Sequence, residues 1–242
     1  MKTLFDPDLT FEEAEELIRN GANVNGNDDS VPLQMVNNLN IAKLLIKNGA
    51  DVNKCDRYGL TPLHLNPNIE IIKLLIDSGA NVNAKDQSDE TPLHLQTDIE
   101  IIELLIKHGA DANALNLQHK TPLYTRMVCG NLELIERMIN LGAKLNIKDI
   151  NGISILSKLY SYHILGLTST EEIKLSISHG AIMSEIDTYQ RLKELFTGEQ
   201  QNAFDAFASI TNNDEDFYQM CLAYQEGVKN NIKIEIKNMD II

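Results

Sequence analysis

The segment Thr61-Pro62-Leu63-His64-Leu65 returns as Thr91-Pro92-Leu93-His94-Leu95 and again as Thr121-Pro122-Leu123-Tyr124, with a weaker copy at Val31-Pro32-Leu33-Gln34. A second block follows the copies at Val31, Thr61 and Thr91 at constant offset. It runs from Leu44 to Asn53, from Leu74 to Asn83 and from Leu104 to Asn113, with frayed copies from Glu16 to Asn25 and from Met138 to Asn146. A fixed period of this size restricts the chain to a repeat architecture. One such unit cannot bury its apolar face alone, so neighbours must stack to make a continuous core.

Each unit reads as two helices and a turn. Ile69, Ile72, Leu75 and Ile76 fall on one helical face. Asn38, Asn68, Asp98 and Asn131 precede these faces as N-caps, and Thr10 with Glu13 forms a capping box at the first copy. Gly49, Gly79, Gly109 and Gly142 end the helices. The shorter helix opens on Thr-Pro, where proline's missing N–H costs nothing.

The paired motifs T-P-L-H and L-L-I-x-x-G-A-D-V-N resemble the ankyrin repeat, most closely the short, Asn- and Ile-rich repeats of intracellular bacteria, viruses or protists; the chain has 25 Asn and 28 Ile. The resemblance covers residues 10–183, about five to six repeats. It implies an all-α solenoid of antiparallel helix pairs and projecting hairpin loops, which binds proteins with its loops and short helices. It also assigns the motif histidine a structural hydrogen bond next to its own threonine. Asn53, Asn83 and Asn113 resemble the site of an asparaginyl hydroxylase.

The chain departs from the family's usual period. The spacing from Thr61 to Thr91, and from Thr91 to Thr121, is three residues short of it. The loss falls at the end of the first helix, where Asn66-Pro67 and Gln96-Thr97 stand. That helix is expected to be about one turn long, leaving a wider groove or a gap that side chains fill. Met127 reads as packing, and Arg126 as filler or partner contact. Asp89 and His119 replace glycine at two hairpin tips and are expected to take its positive φ. The first hairpin, from Asn25 to Val31, is shorter than the rest. The stretch from Ser157 to Ser169 lengthens the last copy as a longer helix or loop.

Residues 185–242 carry no repeat and seven of the thirteen aromatics. Apolar faces around Ile186 to Phe196, Phe204 to Ile210 and Phe217 to Val228 predict a C-terminal helical unit. That unit caps the last repeat or forms a docking module; Ile232, Ile234 and Ile236 alternate as in an edge strand or a tail.

Composition narrows the function. With 35 acidic and 21 basic residues, net −14, the chain repels nucleic acid and suits a basic protein surface. Three widely spaced cysteines suit a reducing compartment, and no segment approaches a secretory signal or the roughly 18 apolar residues of a membrane span. The expectation is therefore a cytoplasmic, monomeric chain, or one in the host cytoplasm as a secreted effector, without membrane partners. No phosphate loop, nucleophile elbow or paired Cys motif is present, so no enzyme, cofactor or metal site is expected; His64 and His94 recur without a third donor. The functional candidates are residues that the scaffold does not require: Arg57 and Tyr58 at one tip, Leu115, Leu117 and His119 at another, and Tyr124 and Arg126 on the next short helix. They predict a protein-binding module. The alternative is an adaptor whose repeats hold a client while its C-terminal helices recruit other machinery.

Overall fold

The computed structural model describes residues 2–127 and 131–164 and, beyond them, 173, 175, 176 and 178–181, with side chains omitted at 160–164. The backbone divides into two compact units, residues 1–150 and 151–242. The expected boundary near 183–185 and the C-terminal helices lie outside the described residues.

In the first unit, long helices alternate with short ones. The long helices are α1 (Phe11–Arg19), α3 (Leu39–Lys47), α5 (Ile69–Asp77), α7 (Ile99–Lys107) and α9 (Leu132–Asn140); the short ones are α2 (Pro32–Met35), α4 (Pro62–Leu65), α6 (Pro92–Leu95) and α8 (Pro122–Arg126). Among the described residues there is no strand; Asn27 and Ser30 form an isolated bridge. Each long helix begins where its sequence provides an acceptor. Asn68 Oδ1 receives the amides of Glu70 and Ile71, Asp98 does the same for Glu100 and Ile101, and Thr10 and Glu13 cap each other's amides at 3.2 and 3.0 Å. Each ends in a left-handed glycine. At Gly79, φ is +90°, and the Ala80 amide reaches back to the Leu75 carbonyl at 2.9 Å, closing carbonyls that would otherwise stay open.

Short helix stacks on short helix and long on long. Ile71, Ile72 and Leu75 are completely buried, as are Leu45, Leu63, Leu93, Ile102 and Leu105. Burying each such side chain stabilises the stack by about 1.5–3 kcal/mol before entropy is counted. Asparagine side chains tie successive repeats together along the loops. Asn53 donates to the Gly79 carbonyl and accepts the Asn81 amide; Asn83 does so with Gly109 and Asp111, and Asn113 with Gly142 and Lys144.

The hairpins stack in register. The amides of Gln87, Leu117 and Ile150 donate to the carbonyls of Tyr58, Ser88 and Gln118, each at 2.9 Å. Asp89 and His119 adopt φ of +60° and +56°, the conformation glycine holds at the neighbouring tips. The first hairpin is tight enough that a Cβ at Gly26 would lie 2.0 Å from the Ser30 carbonyl, so only glycine fits there.

The three missing residues are compensated by side chains. With α2, α4 and α6 only four residues long, the carbonyls at their ends lack partners within the helix. The residue just past α4, and likewise past α6, reaches back one repeat to meet them. Asn66, fully buried, donates to the Val36 carbonyl at 2.8 Å, and Gln96 donates to those of Leu63 and Asn66 at 3.0 and 3.1 Å. Arg126, one repeat on, donates to the His94 carbonyl. The expected gap is thus filled with polar groups.

In the second unit, α10 (Ile155–Ile164) is more than twice the length of α4. Ile153, Ile155, Leu156 and Leu159 are buried, and Ser154 and Ser157 pair through their hydroxyls at 3.0 Å.

Candidate protein-binding surface

The exposed candidates sit on hairpins whose shape is set by an acidic or amide side chain at the turn. Asp56 Oδ1 accepts the amides of Tyr58 and Leu60, and Asn116 Oδ1 accepts those of Gln118 and Lys120, at 2.9 and 3.0 Å in both hairpins. Such turns use only their own polar group, which frees the neighbouring side chains for other work. Tyr58 is 60% exposed, Leu117 58% and Leu115 39%, and Arg57 and His119 are also exposed.

The first tips are ionic. Arg57 pairs with Asp29 on the preceding hairpin, and Lys54 lies 3.0 Å from Asp28. The hydrogen bond to Asp28 holds the Lys54 ammonium above its ordinary value. The later tips are apolar, and here the structure adds Ile150, 61% exposed. Ile150 follows Asp149 as Leu117 follows Asn116, and its amide reaches the preceding hairpin. Superposing the repeats in sequence would have found it. Met35 and Leu65, one at the end of each of two successive short helices, are 51% and 43% exposed.

Two candidates are drawn into the stack, one buried and one half-buried. Tyr124 is 4% exposed, and its hydroxyl donates to Asp149 Oδ2 at 2.9 Å, in the next hairpin. A phenol can lie buried when its O–H finds an acceptor, and the scaffold supplies one. Arg126 is half-buried and committed to the His94 carbonyl; among the described residues no acceptor meets its Nε. It acts as filler and cap. Met127 is buried as packing.

The same position of the motif bridges repeats throughout. Gln34 Nε2 donates to the Leu60 carbonyl at 2.5 Å, and the Nε2 atoms of His64 and His94 meet the carbonyls of Glu90 and Lys120 at 3.1 Å. In both histidines Nδ1 receives the amide of the motif threonine, at 3.0 and 3.1 Å. Nδ1 is therefore the bare nitrogen and Nε2 carries the proton, a neutral tautomer with no lone pair left for a metal. Burial pushes both histidines below the ordinary value, which favours the neutral ring. Among the described residues no group of His, Cys, Asp and Glu could hold a metal ion, and no helix is long and apolar enough to cross a membrane.

Asn53, Asn83 and Asn113 have both ends of their carboxamides committed to the next repeat. No curated protein sequence matches the chain. The family model for ankyrin repeats in three copies matches residues 10–86 and 65–149, over half of the sequence. Its motif threonines, bridging histidines and glycine-closed helix pairs all stand where that match runs, and the chain belongs to the ankyrin-repeat family.

Proposed function

We propose that this chain is a non-enzymatic protein-binding module that holds its partner on the hairpin tips, with Tyr58 at one and Leu115, Leu117 and Ile150 on later ones. Ankyrin repeats are generally protein-protein interaction modules. The observation that carries this reading is that large apolar side chains stand exposed at positions where the fold uses only the backbone and the turn residue. Exposed apolar groups beside Tyr and Arg have the composition of interface anchors. The net charge of −14 favours a partner with a basic surface around an apolar centre. A secreted effector acting on a host protein fits this reading, and there Asn53, Asn83 and Asn113 would meet a host asparaginyl hydroxylase.

The test replaces Tyr58, Leu115 and Leu117 together with Ser. A photo-crosslinker at position 117 identifies the partner, and calorimetric titration compares the two proteins. Loss of apolar anchors costs about 2 kcal/mol each, so affinity should fall by several powers of ten if the effects are even partly additive. Unchanged affinity with an unchanged melting curve would remove the tips from the interface.

A further inference from the structure

The long helices repeat their charges, and α3 alone departs from the pattern. Glu12, Glu70, Glu100 and Glu133 occupy the second position of α1, α5, α7 and α9; in α3 that position is Asn40. The consequence is local. Lys73 of α5 is held by Glu70 at 2.8 Å, whereas Lys43, its counterpart in α3, has lost that partner. Lys47, one turn further, is likewise outside every ion pair among the described residues. α3 contains no carboxylate at all.

These two cations border a groove between α1 and α3 with an open volume of about 350 Å³, lined by Phe11, Glu15, Asn40, Lys43, Leu44 and Lys47. Phe11 is 37% exposed, and Glu15 is already engaged by Arg19 at 3.6 Å. The depression is open to solvent and has room for a few side chains. A groove that sets two apolar side chains, Phe11 and Leu44, beside two cations outside every ion pair among the described residues is complementary to a negatively charged amphipathic segment.

We propose that this groove docks an acidic helical segment of a partner protein, with one apolar side chain against Phe11 and Leu44 and carboxylates one turn apart on Lys43 and Lys47. The spacing of the lysines matches glutamates at i and i+4 of a facing helix. Repulsion from the rest of the chain does not prevent this, because charges beyond about 8 Å are screened at physiological ionic strength. The site shares no residue with the hairpin tips, so each reading stands or falls alone.

The experiment titrates the full chain with a synthetic helical peptide of glutamate and leucine, followed by fluorescence anisotropy and by amide shifts in nitrogen-15 spectra. Saturable binding with shifts confined to α1 and α3 is expected. Lys43→Glu with Lys47→Glu should weaken it about tenfold or more, as should glutamine for glutamate in the peptide, while Lys107→Glu on α7 leaves it intact. If the charge reversal perturbs the melting curve, Lys43→Gln with Lys47→Gln serves in its place, with a smaller loss expected. Absence of binding, equal binding to the lysine variants, or shifts at the hairpin tips would overturn the proposal. So would self-association of the free chain that the lysine variants abolish, which would assign the groove to a second copy.

Discussion

The repeats opening at Thr61 and Thr91 and the one opening at Thr121 meet the same two structural demands with different side chains. In the first two, a histidine bridges to the next repeat's backbone carbonyl; in the third, the Tyr124 hydroxyl reaches a carboxylate, Asp149. Past the short helix, Asn66 and Gln96 satisfy carbonyls of the preceding repeat as neutral amides, while Arg126 brings a charge to the same task. The fourth and sixth motif positions are therefore structural slots defined by reach and donor capacity. Side chains as unlike as Gln34, His94 and Tyr124 serve in one of them.

That equivalence can be broken most forcefully at His94. His94→Ala leaves the Thr91 amide and the Lys120 carbonyl unpaired in a buried site and opens a cavity, so urea unfolding should show a loss of about 3 kcal/mol or more. His94→Gln should recover much of it, since Gln34 already makes the same carbonyl bridge. Tyr124→Phe removes one hydrogen bond and keeps the ring, with an expected cost of about 1–1.5 kcal/mol. Equal losses for His94→Ala and His94→Gln would show that the slot depends on the imidazole itself.

Gln96→Leu comes next. It removes the donor that meets the carbonyls of Leu63 and Asn66 without changing the backbone, and should cost about 1–3 kcal/mol, read as a lower urea midpoint. Arg126→Leu should cost less, because its removal also relieves a partly unsatisfied buried guanidinium.

Acid separates the two kinds of repeat more gently. His64 and His94 bind protons less readily folded than unfolded, chiefly through burial. Asp56, Asp86 and Glu90 oppose that effect, and Arg126 adds to it at His94. Below the ordinary value of 6.5 the unfolded chain therefore holds more protons, and stability rises with pH. The contribution is complete above that value and is lost as pH falls beneath it. Urea midpoints at about pH 7.5 and about pH 5.5 should differ more for the natural chain than for His64→Gln with His94→Gln. An unchanged difference would place the acid sensitivity in the carboxylates.

The smallest effect on folding belongs to the tips. Tyr58, Leu115 and Leu117 replaced by Ser should shift stability by about 0.5 kcal/mol each or less, whatever happens to binding, as a melting curve will show. A collapsed melt would mean that these side chains support the hairpin stack.

Much of this architecture was legible because its signals are local. The caps at Asn38, Asn68 and Asp98, the box of Thr10 and Glu13, and the left-handed positions of Asp89 and His119 depend on residues a few places apart. Exposure at Tyr58, Leu115 and Leu117 was also legible, since hairpin tips project from any such stack. Burial of Tyr124 was not, because its acceptor, Asp149, lies 25 residues away and is brought near only when the next hairpin docks. Arg126 is a similar case, with its acceptor 32 residues back.

By itself, the sequence determined the repeat, its helices and their ends, because period, capping and backbone permissiveness act within one unit. Only the tertiary structure decided which polar side chains turn inward and which apolar ones stay out. Those outcomes depend on the carbonyls that a shortened helix leaves open and on the donors that the neighbouring repeat brings within reach.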